Sequence, residues 1–302
     1  MVNLFYRTMV YLSRKCGIWV LYTAAWTIAT GYFLFFPRRV AASFRFYRAV
    51  FPHRRAGYLL WCAWKQFHNF TAIYIDRYFL EFSSDINYTA QGWHYLEKAA
   101  ESRTGGILLM SHLGNWEVAA RLLTEKGVPL LLFMGKKAGE QIEEIQKSSL
   151  KKKGVEIIAT QLGRPSPMDV LEGLKYLRNG WILSMAGDRS GDAGRSCVEA
   201  EFLGHTVRLP ETPYALALAT GAPVFVFFAL RTGRRKYRFI IHPPIYLHAD
   251  SRASRRACIR QAAQEYAHLL EQAVYESPFE WHHFEPFLGP ETVPGKTPSR
   301  GD

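Results

Sequence analysis

The chain has 302 residues, of which 48% are hydrophobic and 15% aromatic, and 38 Lys/Arg against 26 Asp/Glu give it a net charge of +12. That length can bury a sizeable core as one large domain or two small ones. The four cysteines (Cys16, Cys62, Cys197, Cys258) lie far apart with no CxxC pair, which fits reduced thiols better than a disulfide framework or a zinc site.

The positive charge is uneven. Ten Lys/Arg, from Arg7 to Lys65, precede the first acidic residue, Asp76. A basic, aromatic segment points to a polyanion. No zinc spacing, RNA-binding aromatic signature or helix-turn-helix supports nucleic acid, so an anionic membrane surface is the better partner. Residues 17–36 form a charge-free run of twenty, long enough to cross a bilayer, although Trp19, Tyr22 and Trp26 also suit a helix lying in the interface. If the run spans, the denser Lys/Arg after it place the C-terminal bulk on the cytoplasmic side.

Residues 40–83 read as helices carrying aromatics and arginines, and an αβ alternation follows. Helices are expected over 92–100, 115–126, 139–152, 168–178, 211–220 and from 254 to about 275. Strands are expected over 107–110, 129–134, 155–160, 181–186, 223–230 and 237–247, with a hairpin over 197–208. Repeated strand–helix units predict an α/β fold with a mixed, largely parallel sheet flanked by helices. Three parts are expected: N-terminal membrane-anchoring helices over 1–83, an α/β domain over 84–288, and a loose tail from 289.

The centre of the chain is the stretch 104–122. The apolar run 107–110 gives way to Ser111-His112, and from Asn115 the period becomes helical. Asn115 is the expected N-cap, with Glu117 in the first turn where the helix dipole favours a carboxylate. His112 therefore occupies a strand-to-helix loop with Glu117 just beyond it. An imidazole held by a carboxylate can take a proton from a hydroxyl or amine, and no protein nucleophile is needed if the substrate brings one. A lone His-x4-Glu is weakly specific, and a buried histidine capping a turn is the bland alternative.

The loop after residue 186 holds Asp188 and Arg189, where an open α/β sheet places ligands. Arg189 can grip a phosphate or carboxylate with Asp188 orienting it, although such a turn also reads as a salt-bridged loop. Arg164, in a Gly-Arg-Pro-Ser-Pro loop, is placed at the same cleft. Glu201 and Arg208 belong to the hairpin, whose alternation suits an edge strand. His282-His283 has no acidic or cysteine partner at ligand spacing, so no metal is expected.

In combination these segments are more specific. Ser111-His112-Leu113-Gly114-Asn115-Trp116-Glu117 resembles the H-x4-D/E block of the lysophospholipid acyltransferase superfamily. Its Gly-Asn-Trp-Glu form is similar to the bacterial lipid A biosynthesis (late acyltransferase) branch and the related phosphatidylinositol mannoside acyltransferases. Asp188-Arg189 followed by Phe202-Leu203-Gly204 and Arg208-Leu209-Pro210 is similar to that branch's second block, and Thr220-Gly221-Ala222-Pro223-Val224 matches the next. The ending around Trp281 is similar to the family's, without its usual arginines.

The resemblance covers roughly residues 90–285. It implies transfer of a fatty acyl group from acyl carrier protein or coenzyme A, a co-substrate rather than a cofactor, to a hydroxyl or amine of a glycolipid such as lipid A. It implies His112 as general base oriented by Glu117, and Asp188, Arg189, Arg164, Glu201 and Arg208 as substrate-binding residues. The expected location is the cytoplasmic face of a bacterial inner membrane. Another envelope lipid as acceptor, or a non-catalytic lipid-binding protein of the same fold, is the alternative.

Overall fold

A computed structural model describes residues 2–82, 86–136, 150, 154–161, 167–189 and 196–292. The expected helix over 139–152, apart from Leu150, and the Arg164 loop lie outside the described residues.

Four helices come first: α1 (Val2–Cys16), α2 (Trp19–Phe35), α3 (Pro37–Val50) and α4 (Ala56–Phe82). Gly17, at φ +105°, separates α1 from α2. Pro37 ends α2, because the residue before a proline is pushed out of the helical region, and Phe36 sits at φ −118°, ψ 66°. The charge-free run is thereby cut to the 17 residues of α2, about 26 Å at 1.5 Å per residue against a hydrocarbon core of about 30 Å. Among the described residues no single helix is long and apolar enough to cross a membrane; α2 and α3 pass that test only as a pair bent by 91°.

The α/β region runs β1 (Asn87–Gln91), α5 (Trp93–Glu101), β2 (Gly106–Met110), α6 (Trp116–Glu125), β3 (Leu130–Lys136), β4 (Glu156–Gln161), α7 (Pro167–Arg178) and β5 (Ile182–Ala186). The hairpin β6 (Cys197–Phe202) and β7 (His205–Pro210) follows, then α8 (Thr212–Thr220), β8 (Val224–Gly233), β9 (Lys236–Ile241) and α9 (Arg252–Glu276). Seven strands form one sheet in the order β1-β9-β8-β2-β5-β3-β4. Every pairing is parallel except β8 with β9, so the sheet is mixed and mostly parallel, as the alternation predicted.

Strand β2 is buried along its whole length, and its alternate side chains feed two cores. Leu108 and Met110 join α5 and α6 on one face. Ile107 and Leu109 join α7, α8, α9, the hairpin and the α3–α4 residues Phe46, Tyr47, Leu59 and Cys62 on the other. The N-terminal helices thus share the core of the sheet.

Three boundaries depart from the sequence reading. Strand β1 was not expected, because Asn-Tyr-Thr-Ala-Gln is polar and exposed at the sheet edge. Strand β9 stops at Ile241, before Pro243-Pro244, which cannot donate to a ladder. The start of the expected loose tail is tied to the hairpin turn: Gly289 N–H donates to Thr206 O (2.8 Å), and Thr292 N–H to Gly204 O (2.9 Å).

Candidate active site

Strands β2 and β5 are parallel neighbours, and their register pairs Met110 with Ala186. Two residues beyond each partner come His112 and Asp188, so the same register that aligns the strands brings these side chains together. The Gly187 N–H closes the gap on Met110 O at 2.7 Å. Gly187 must lack a Cβ, which would stand 2.5 Å from the Tyr266 ring.

Asp188 is completely buried and accepts three N–H groups. One carboxylate oxygen takes the His112 backbone N–H at 2.7 Å and the Trp281 indole N–H at 2.9 Å; the other takes His112 Nδ1 at 2.8 Å. Burial alone pushes this carboxyl up. The charge and hydrogen bonds of His112, with His283 and the Trp281 N–H, more than offset that and hold it well below the usual carboxylate range. An ionised carboxylate only accepts, so Nδ1 carries the ring hydrogen and Nε2 keeps its lone pair. The His112 side chain is 22% exposed, so that lone pair can meet a substrate.

The loop is fixed from all sides. Asn115 caps α6 as expected, its Oδ1 accepting from the N–H groups of Glu117 (3.2 Å) and Val118 (3.3 Å). Its Nδ2 donates to the Tyr237 hydroxyl at 3.2 Å, and Tyr237 donates to buried Asp76 of α4, which also accepts from Arg231 Nε at 2.9 Å. Gly114 holds φ +80° with Ala229 O so close that a Cβ would stand 1.8 Å from it. The segment after α9 runs antiparallel to the loop: Gly114 N–H donates to Glu280 O and His282 N–H to His112 O, both at 2.8 Å. Gln66 and Asn69 of α4 hold that segment through Trp281 O and Glu280.

The carboxylate on the His112 ring is thus that of Asp188, where the motif spacing pointed to Glu117. Glu117 is buried in the first turn of α6, at 2% exposure. Its position five residues along a chain that turns into a helix does not carry it to Nδ1, whereas Asp188 arrives from a neighbouring strand. Arg189 is half-buried, with Nε lacking a hydrogen-bond partner among the described residues, and it lowers the pKa of neighbouring His283. Glu201 and Arg208 are exposed on the hairpin, and neither bonds to the His112–Asp188 pair. The backbone of Glu201 instead exchanges two hydrogen bonds with the Gln264 side chain of α9.

Sequence reasoning named Trp281 and His283 but placed neither of them at the site. Trp281 is fully buried, among Phe46, Phe202, Phe287 and the stacked His283 ring. The His283 ring lies 6.3 Å from that of His112. Burial lowers the pKa of His283 to about 4 and that of His282 to about 3, so both are neutral near pH 7. The available signal was a tryptophan beside two histidines in a segment with no helical or strand period. Among the described residues no cluster of three metal-ligating side chains occurs.

Residues 62–288 match the family described as bacterial lipid A biosynthesis acyltransferase. The chain is similar to the phosphatidylinositol mannoside acyltransferase of Mycobacterium tuberculosis (strains H37Rv and CDC 1551), 26% identical over 195 residues, which is 65% of this chain and 58% of each relative. The Mycolicibacterium smegmatis protein of the same name is 27% identical over 131 residues, 43% of this chain and 42% of its own. The chain therefore spans somewhat over half the length of the two Mycobacterium tuberculosis relatives. With three quarters of its residues under the family match and His112 in the matched region, the chain belongs to the bacterial lipid A biosynthesis acyltransferase family.

Proposed function

We propose that the protein transfers a fatty acyl group from an acyl thioester to a hydroxyl or amine of a membrane glycolipid. The observation that carries this is the His112–Asp188 pair: a partly exposed imidazole whose Nδ1–H is fixed at 2.8 Å on a fully buried carboxylate. His112 Nε2 removes the proton from the acceptor as its oxygen or nitrogen bonds to the thioester carbonyl carbon. Asp188 stabilises the imidazolium and holds the tautomer. Collapse of the tetrahedral adduct breaks the carbon–sulfur bond, and the imidazolium returns its proton to the departing thiolate. Atoms and charge balance without a covalent acyl-enzyme.

Glu117, buried behind the loop, acts in this scheme by holding the first turn of α6, and the Arg189 guanidinium binds an anionic part of donor or acceptor. Relatives named for phosphatidylinositol mannoside support a polyhydroxylated glycolipid as acceptor. The basic N-terminal helices and the outward aromatics of α2, with Trp19 62% and Phe35 79% exposed, support action at an anionic membrane surface. If the bent pair α2–α3 enters the bilayer, the denser Lys/Arg after residue 36 place the α/β domain at the cytoplasmic face of a bacterial inner membrane.

The test is acyl transfer by purified protein in detergent, with labelled acyl carrier protein or acyl coenzyme A and a bacterial lipid extract. A labelled lipid made by the wild type and not by His112→Ala is the expected result. Equal turnover by both proteins would remove His112 as the base. No product with either donor, from folded wild type, would remove the transfer reaction.

A further inference from the structure

On α3, Arg38, Ala41, Ala42 and Arg45 recur at helical spacing and face one way, toward the segment after α9. Between the two lies a cavity of about 360 Å³, the size of a small-molecule site. Its floor is apolar, built from Phe46, Trp281 and Phe287, and the two alanines leave it open along the helix. The two arginines both line it, seven residues and about 10 Å apart along the helix axis.

The charge is unbalanced. Two exposed arginines line the cavity with one acidic residue, Glu285. Arg45 spends one N–H on Gly289 O at 2.7 Å, and among the described residues Arg38 has no ion-pair partner. One end of the groove reaches His283, whose ring is 6.3 Å from that of the base. Arg38 follows the point where α3 leaves α2 at 91°, and Leu34, Phe35 and Phe36 just before that bend are 64%, 79% and 44% exposed. An apolar trough lined by two arginines therefore includes a ring neighbour of the reacting side chain and lies next in sequence to the exposed aromatics of α2.

We infer that this groove binds the acceptor as a phosphate-bearing membrane lipid, with the phosphate on Arg38 and Arg45 and apolar chain on Phe46 and Phe287. This rests on the acyl-transfer reading for its role, though not for its existence. Guanidinium groups match phosphate oxygens bidentately, and the apolar floor matches a lipid chain. A lipid seated here brings its headgroup towards His112.

The test titrates full-length protein in non-ionic detergent with monomeric dihexanoylphosphatidylglycerol, dihexanoylphosphatidylcholine and coenzyme A. Short-chain lipids are chosen because the basic N-terminal surface would bind any anionic bilayer. The wild type should prefer phosphatidylglycerol to phosphatidylcholine at least tenfold. The Arg38→Gln/Arg45→Gln variant should lose that preference to within twofold while binding coenzyme A as before. Arg54→Gln/Arg55→Gln, with the same charge change in the α3–α4 connection, should keep it. Ala42→Phe should weaken both lipids by filling the groove.

No headgroup preference in the wild type, equal loss in the two arginine pairs, or a loss confined to coenzyme A would overturn the inference. Because none of these readouts needs turnover, a wild type that selects the anionic lipid without transferring an acyl group would refute the reaction and leave the groove standing.

Discussion

Asp188→Asn probes the site most sharply, because the structure dictates which way the amide must turn. One carboxylate oxygen faces two N–H donors, from the His112 backbone and Trp281, and the other faces His112 Nδ1. An asparagine oxygen on the two-donor side satisfies both, and its NH₂ then donates to Nδ1. That forces the hydrogen onto Nε2 and leaves no base. The opposite flip keeps the productive tautomer but sets the NH₂ against two buried donors, at about 1–3 kcal/mol each.

The productive form is therefore disfavoured by about 2–6 kcal/mol, a fall of roughly 30-fold to 10⁴-fold in rate. Loss of the negative charge that stabilises the imidazolium moves the result toward the upper end, and the same substitution in a Ser-His-Asp triad costs about 10⁴ in kcat. Single-turnover release of free thiol from acyl coenzyme A, with lipid acceptor present, measures it. A tautomer trap does not yield to base, so the deficit should be constant from pH 7 to 9. A folded variant within threefold of wild type would refute the assignment of Asp188 to His112.

His112→Ala should lower transfer by at least about 10³-fold with little loss of stability, because the ring is partly exposed on a loop; urea unfolding beside the activity assay separates the two effects. Gly114→Ala should destabilise by more than about 3 kcal/mol, since its Cβ would meet Ala229 O at 1.8 Å; soluble protein with a wild-type midpoint would contradict that packing. The third concerns pH. His282 and His283, lowered from 6.5 to about 3 and about 4, bind fewer protons folded than unfolded, so their stability contribution is lost as pH falls below 6.5. Buried Glu280, raised from 4.5 to about 7, does the reverse and gains stability as pH falls from 7 to 4.5. Taken by themselves, His282 and His283 against Glu280 leave a net loss of about 1.4 kcal/mol per pH unit between 6.5 and 4.5, and His242, also lowered by burial, acts in the same direction as the two histidines. Glu280→Gln removes the opposing group and should steepen the slope by about 1.4 kcal/mol per pH unit in urea unfolding at pH 5 and 6; an unchanged slope would show that Glu280 is not carrying the extra proton.

The parts legible in the sequence are those whose chemistry is local. Gly-Ile-Leu-Leu-Met announces a strand buried on both faces, and Asn115 announces the helix that follows. His112 and Asp188 were each singled out, but their pairing depends on a parallel register between strands 76 residues apart, which no local pattern encodes. Trp281 is further still, 93 residues beyond Asp188 in an irregular segment. The charge-free run before Pro37 carried two readings, since hydropathy does not register that Gly17 at one end and Pro37 at the other trim a twenty-residue run to a 17-residue helix. Strand β1 is held by its pairing to β9 rather than by side chains with a strand's alternation.

The bonds that join Gly114 to Glu280 and His112 to His282 have a consequence for the order of synthesis. Residue 112 leaves the ribosome 169 residues before Trp281, the residue opposite that loop (281 minus 112). At roughly 5–20 residues per second, that interval is about 8–34 s. During it the basic, aromatic N-terminal helices already exist and can find a membrane, while the third donor to Asp188 has not been made. On the membrane reading proposed above, the nascent chain can therefore reach a lipid surface before His112 is set, and His112 is set only once residue 281 has been made.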